Sequence, residues 1–385
     1  MDHGQRELLA SAAVLGIFLV VQVGALALVE PFLEGGLQEV EDTDDPSLSL
    51  FYVAAILVAT LLMLAAFKYG GDSILRVIII FAGVYIAFFV IDVLVPALIT
   101  VTAFGFPVNV IAVGIAIALG VILYSYPEWY VIDAAGIVMA IGAAALFGIN
   151  LGILPVLVLL IALAIYDAIS VYRTEHMLTL ASGMMDMRVP VVFVVPLSLS
   201  YTFLDESKPD SIADSSDDTT DSASPTDGAA AIPERFTVEA LNEMGPAGVR
   251  ELDPQDLDGL TLDDDQRDAL DEEVLSALRE ASHDRDALFI GLGDAVIPTI
   301  LVVSAAFFVD AGPTLSIAGM STTLPAVTAL VGTMAGLIGL LWLVRQGRAH
   351  AGLPLLNGGA ITGYLLGALL SGLSLIEALG IAGYL

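Results

Sequence analysis

The sequence predicts an all-α polytopic membrane protein: nine transmembrane helices, a cytoplasmic N-terminus, and an acidic cytoplasmic insert between helices six and seven. Three observations predict it. Of the 385 residues, 57% are hydrophobic and the mean hydropathy is +0.87, far above a soluble domain. Nine apolar runs approach the roughly 17–25 residues that a membrane-crossing helix needs. All Lys and Arg residues fall on alternate connections between those runs, as the positive-inside rule requires.

The spans are expected near 8–29, 48–67, 74–99, 108–125, 131–149, 152–172, 287–309, 317–344 and 353–371. The first, Leu8 to Val29, lacks the short core and small-residue cleavage site of a signal peptide and is read as a retained span. Tyr124–Tyr130, with Pro127, is an aromatic cluster that suits the headgroup interface between spans four and five. Arg6 precedes the first span, Lys68 and Arg76 flank the second connection, Arg173 to Arg285 lie in the sixth, and Arg345 and Arg348 in the eighth. These are all 13 cations. The chain therefore divides into helices one to six (1–172), a cytoplasmic connection (173–286) and helices seven to nine (287–385). The expected location is the cell membrane, multi-pass.

Within the connection, 173–204 reads as an interfacial helix, Arg173–Met187, followed by Val189–Phe203. The latter is β-branched, broken by Pro196 and too short to span, so it is a strand or a re-entrant segment. The acidic stretch 205–286 is expected to be largely disordered, most clearly over the Ser/Thr/Asp-rich Asp205–Asp227. Helical periodicity returns over Glu234–Ala281, as a solvated helical linker or a small docking module.

The net charge of −31 argues against a nucleic-acid partner. Acidic residues also crowd Glu30–Asp45, which carries no cation, and such a balance suits a protein working in high salt, where repulsion is screened. The chain has no cysteine, which excludes disulfides, thiolate metal sites and a cysteine nucleophile. No cofactor or metal is expected. The histidines His3, His176, His283 and His350 all lie outside the spans, and HExxH is absent, which argues against zinc or serine–histidine chemistry in the membrane.

An acid inside a span costs a few kcal/mol and marks a functional site by default. Asp92, Asp133, Asp167 and Asp294 qualify. Asp167 lies six residues before Arg173, and Asp294 lies eight after Asp286, so both sit roughly 9–12 Å from the inner ends of neighbouring helices. Asp92 is nearer the opposite surface, and Asp133 is expected at a helix N-terminus, where the dipole alone favours a carboxylate. In Gly291-Leu292-Gly293-Asp294, Gly291 is expected on the acid's helical face, where it lets the sixth span approach. Gly293 and Pro298 are expected to weaken or bend the helix. Two carboxylates at one site hold a single proton between them near neutrality. One can then act as base on a water while the other polarises a peptide carbonyl, which is aspartic-protease chemistry.

These residues resemble the presenilin and signal peptide peptidase family of intramembrane aspartyl proteases, most closely its archaeal presenilin homologues. Tyr166-Asp167 is similar to the family's YD motif, Gly291–Asp294 to its GxGD motif, and Pro354-Leu355-Leu356 falls where its Pro-Ala-Leu motif opens span nine. The resemblance covers the spans but not 205–282. It implies that Asp167 and Asp294 are the catalytic pair, that Pro354, Leu355 and Leu356 shape the substrate cleft, and that transmembrane peptides or proteins in the bilayer are the substrates. Tyr166, about 100° from Asp167 on the helix, packs beside the site. Leu355 stands where the family usually has Ala, and a larger side chain narrows that cleft. Val189–Phe203 and Ala287–Ile290 would pair with an unwound substrate by strand addition. Two other readings remain at this level. A prepilin-type peptidase also uses a GxGD acid but fits nine spans poorly, and a channel or transporter would use Asp92, Asp167 and Asp294 as ion or proton sites.

Overall fold

A computed structural model describes residues 3–38, 40, 43–69, 71–103, 106–173, 190–196, 238–250, 270–271, 274–275, 287–312, 315–317, 320–344 and 351–382. The chain forms two units, residues 1–207 with 287–385, and residues 208–286.

Long apolar runs become helices in the first unit because lipid offers backbone N–H and C=O groups no other partner. They are α1 (His3–Ala27), α2 (Val29–Glu34), α3 (Ser47–Lys68), α4 (Asp72–Leu94), α5 (Val110–Ser125), α6 (Trp129–Asn150) and α7 (Ile153–Arg173). Among the described residues, seven helices of the chain are long and apolar enough to cross a membrane. The expected fourth and seventh spans are shorter apolar helices of 16 and 17 residues, about 24–26 Å long against a hydrocarbon core of about 30 Å.

Their shortness has a local cause. The chain is mostly helical but not wholly so, because three antiparallel strand pairs, two of them hairpins, take residues at the starts of the expected fourth, seventh and eighth spans. The third span stops at Leu94, and β1 (Thr100–Ala103) pairs with β2 (Phe106–Asn109) before α5 begins. Asn109 then caps α5, accepting from the N–H groups of Ile111 and Ala112 while its own Nδ2 donates to the Val95 carbonyl at 3.1 Å. The expected seventh span is likewise divided. Its first residues form β4 (Ala287–Gly291), paired with β3 (Val192–Pro196), and its helix begins only at Leu292. The eighth is preceded by β5 (Leu315–Ile317) and β6 (Met320–Thr322). Apolar, β-branched segments read as membrane helix by hydropathy, yet they also fit a strand whose partner covers one edge.

In the order of the chain the remaining helices are α8 (Val238–Arg250), α9 (Leu292–Phe308), α10 (Leu324–Val344), α11 (Gly352–Leu370) and the short α12 (Leu375–Ala378). α6 and α9 form the centre. α9 packs on α6, α7, α10 and α11, and α1 packs on α6 and α9. Small residues of α6, among them Ala135, Ala140, Ala144 and Ala145, are fully buried, which lets neighbouring backbones come close in the absence of a hydrophobic drive between helices. Buried hydroxyls bond to backbone: Ser304 Oγ donates to the Leu151 carbonyl at 2.9 Å, and Ser49 Oγ to that of Pro155 at 2.6 Å. Arg76, near the start of α4, donates to the Tyr124 carbonyl at the end of α5 and lies over the Tyr124 ring. That contact brings a cation and the aromatic cluster together at one end of the bundle.

The second unit contains α8, which is interrupted at Gly245, φ 65°. Leu241, Val249, Leu270 and Val274 are buried in it, and the Asp271 N–H donates to Asn242 Oδ1. The expected interfacial helix Arg173–Met187 beyond Arg173, the Ser/Thr/Asp-rich Asp205–Asp227 and most of Glu234–Ala281 beyond α8 lie outside the described residues.

Candidate active site

α7 carries Asp167 in its last two turns, on the buried face: the residue is 8% exposed while Ile165 and Ile169 point outward. Asp294 arrives differently. β4 runs straight into α9, Gly291 is the N-cap in an extended conformation (φ −60°, ψ 133°), and Asp294 stands in the first helical turn. A carboxylate there faces helix N–H groups that have no intrahelical partner. Pro298 lies inside α9 without ending it. It has no N–H, so the Asp294 carbonyl loses its i+4 donor and is left as a backbone acceptor beside the carboxylate.

The first turn of α11 brings the two acids together. The Leu353 N–H donates to Asp167 Oδ2 at 3.1 Å. On the preceding residue, a Cβ added to Gly352 would lie 3.6 Å from Asp294 Oδ2. One helix N-terminus, with its unpaired amides and positive dipole end, therefore serves both carboxylates and compensates part of the charge that they would otherwise hold in apolar surroundings. Such a pair can hold one proton, deprotonate a water and polarise a carbonyl.

The other expected residues divide. Tyr166 is half-buried beside Asp167. Leu292 packs toward α6, where a Cβ on Gly136 would meet its Cδ1 at 3.4 Å, and Gly293 is exposed. Gly291 is not on the helical face of Asp294. It belongs to β4, and a Cβ there would meet only Asp294 itself, with Oδ2 at 3.4 Å, so it does not make room for α7. The strand includes this position because the ladder continues one residue past it, where the Leu292 N–H donates to the Val191 carbonyl, so the helix starts only at Leu292. Leu356 is fully buried in the core. Pro354 and Leu355 line an apolar groove of about 640 Å³ between α10 and α11 whose walls include neither aspartate. Leu355 therefore narrows that groove rather than the space between the acids.

Asp92 lies two residues before the end of α4, half-buried, with no contact to either acid recorded among the described residues. Asp133 stands in the second turn of α6, not the first, and its Oδ1 accepts the Val194 N–H of β3 at 2.8 Å. Sequence reasoning missed Asn357, which is fully buried one turn after Leu353 and donates through Nδ2 to the Leu160 carbonyl of α7 at 2.9 Å. An amide in an apolar run, four residues past the start of the last long helix, was the available signal.

The chain matches the family described as signal-peptide peptidase, presenilin aspartyl protease over residues 15–225 and 260–373. A solved structure of a presenilin family intramembrane aspartate protease in space group C222 shares 27% identity, covering 94% of this chain and 99% of that one, with a TM-score of 0.53. A second, in space group P2, shares 29% identity over 93% and 97% of the two chains, with a TM-score of 0.52. A search of the curated proteins finds no match. With a dominantly helical, multi-pass architecture and an aspartate on each of two helices beside the first turn of α11, this chain belongs to the signal-peptide peptidase and presenilin family of aspartyl proteases.

Proposed function

We propose that the chain hydrolyses peptide bonds in or near the transmembrane segments of single-span proteins, with Asp167 and Asp294 as the catalytic pair of GxGD type. The observation that carries this reading is the shared first turn of α11, where the Leu353 N–H holds Asp167 while Gly352 lies against Asp294. One carboxylate takes a proton from water as the oxygen attacks the scissile carbonyl carbon. The other gives its proton to the carbonyl oxygen, and collapse of the tetrahedral diol returns a proton to the departing amine. One water is consumed, its oxygen ending in the new carboxyl group, and the acid and the base are regenerated with no other reagent.

The β3–β4 sheet supports a mode of substrate presentation. The Leu292 N–H donates to the Val191 carbonyl, and along this antiparallel register inward-facing pairs alternate: 191 with 292, 193 with 290, 195 with 288. Phe289 and Gly291 therefore direct their N–H and C=O groups to the outer edge of β4, five and three residues before Asp294. An extended substrate segment added to that edge has its backbone unwound next to the acids, as hydrolysis of a helical peptide requires. Nine spans with the N-terminus inside, the arrangement implied by the cations, would admit substrates whose own N-termini lie outside.

The test is cleavage of a model single-span substrate in liposomes, followed on gels and by mass spectrometry. Asp167→Ala and Asp294→Ala should each lower the rate by at least about 10²–10⁴-fold while the purified protein keeps its helical content. Cleavage by either variant at the wild-type rate sinks the pair. Acid-dependent ion flux without proteolysis would move the function to transport.

A further inference from the structure

We infer that Asp133 is a positioning residue that closes the outer edge of β3 and pins the β3–β4 sheet in the register from which β4 presents substrate to Asp294. The inference rests on the protease reading above and deepens it.

The argument begins with the alternation of the ladder. Val194 pairs with Phe289 at a position whose backbone groups face away from the partner strand. The Val194 N–H thus lies on the outer edge of β3, and the Asp133 carboxylate takes it at 2.8 Å. β3 also packs against α6 through its side chains. Phe193 is 1% exposed, and a Cβ on Gly136, three residues after Asp133 and on the same helical face, would meet its ring at 3.1 Å. The sheet is seated between two cores. Phe193, Val195, Leu288 and Ile290 pack with the central cluster, while Val191 and Phe289 pack with Ile80, Leu123, Ile132 and Ala135.

An open strand edge inside a bilayer invites pairing. Of the two outer edges of this sheet, α6 and Asp133 occupy one, and among the described residues no strand pairs with the edge of β4, where an incoming strand can add. Side-chain packing seats β3 against α6 and opposes a slip of one residue, which would send every side chain to the opposite face. A slip of two residues keeps each side chain on its face, and the buried acceptor opposes it. Such a slip takes the Val194 N–H off the carboxylate and, in one direction, brings up Pro196, which has none. β4 moves with β3 through the ladder and leads covalently into Asp294. Asp133 therefore sets which substrate bond lies at the acids without touching substrate itself.

The experiment uses the full chain in liposomes, with one single-span substrate and mass spectrometry of the products. Asp133→Leu keeps the γ-branched shape, with two methyl groups in place of the oxygens, but removes the acceptor. The share of product from the principal bond should fall at least twofold, with new cuts at neighbouring bonds, and backbone amide exchange across 192–196 should quicken at least tenfold. Asp133→Asn retains an acceptor oxygen and should restore the wild-type product distribution. Asp133→Glu moves the carboxylate by one methylene and should shift the cuts even if Asp133→Leu fails to fold. An unchanged product distribution in the Leu or Glu variant overturns the inference, because a merely structural residue would lower yield and stability without moving the cut. Broadening in Asn equal to that in Leu overturns it as well. The exchange measurement does not depend on proteolysis, so an inactive wild-type protein would refute the protease reading while unchanged exchange would refute the role of Asp133.

Discussion

Asn357 illustrates how a single side chain can matter to chemistry that it does not perform. Its Nδ2 bonds the Leu160 carbonyl of α7, while its buried Oδ1 has no partner among the described residues. One turn earlier on α11, the Leu353 N–H bonds Asp167 of the same α7. The two contacts lock the helices at fixed height. Replacing Asn357 with Leu removes a bond worth about 1 kcal/mol but also relieves an unsatisfied acceptor, so net stability should change by no more than about 1 kcal/mol. Activity should respond more strongly, since a displacement of about 1 Å at a reacting group can cost up to about 10²-fold. We expect kcat to fall roughly tenfold with KM little changed, measured beside thermal unfolding in detergent; a wild-type kcat would show that Asn357 is only filler. At this scale the sequence pointed to Asp167 and Asp294 because depth follows from counting residues to the charged ends of the spans, Arg173 and Asp286. It was misleading about Gly291, whose neighbours depend on where strand gives way to helix, and it was silent on Asn357, whose partner is a backbone carbonyl 197 positions away.

Among the elements, α10 and α11 approach each other closely by their backbones. Gly332 and Gly336 face Gly359 and the carbonyl of Leu355. A Cβ at Gly336 would lie 2.5 Å from the Leu355 carbonyl oxygen, a rigid backbone atom rather than a mobile side-chain end. Gly336→Val should therefore push α11 outward, destabilise the protein by about 1–3 kcal/mol and reduce cleavage, since the start of α11 holds the acids. Gly339→Val is the control: a Cβ there meets nothing within 4 Å, so its unfolding temperature and activity should match the parent. Equal losses in both variants would refute the packing argument. The helices themselves were readable from apolar runs, and the β3 segment from its β-branched composition and Pro196. The hairpins at 100–109 and 315–322 were not, because a hydrophobic run has the same composition whether its backbone bonds inward as helix or sideways as strand.

For the whole molecule, orientation in the bilayer is the property that governs which substrates can enter. The 13 cations and the absence of cysteine make it directly measurable. Single cysteines introduced by Gln38→Cys and Gln346→Cys in intact cells should label oppositely with a membrane-impermeant maleimide: the first from outside, the second only after permeabilisation. Labelling of both from one side would overturn the nine-span topology. Arg76 against the Tyr124 carbonyl agrees with that scheme locally, since it joins the start of α4 to the end of α5. α5 and α9, at 16 and 17 residues, reach across only with help from flanking strands or a thinned bilayer.

By itself the sequence determined the membrane class and the resemblance to an aspartyl protease family, and it singled out Asp167 and Asp294 as the acids to weigh together. Each of these follows from local composition, from spacing along a helix or from a short motif. Only the tertiary structure decided that the acids meet at the N-terminus of α11, that GLGD begins as strand and becomes helix at Leu292, and that Asp133 belongs to a sheet edge. Those facts depend on backbone groups, whose partners lie far away in the chain. Every residue carries the same N–H and C=O, so no pattern of side chains announces which of them will be paired.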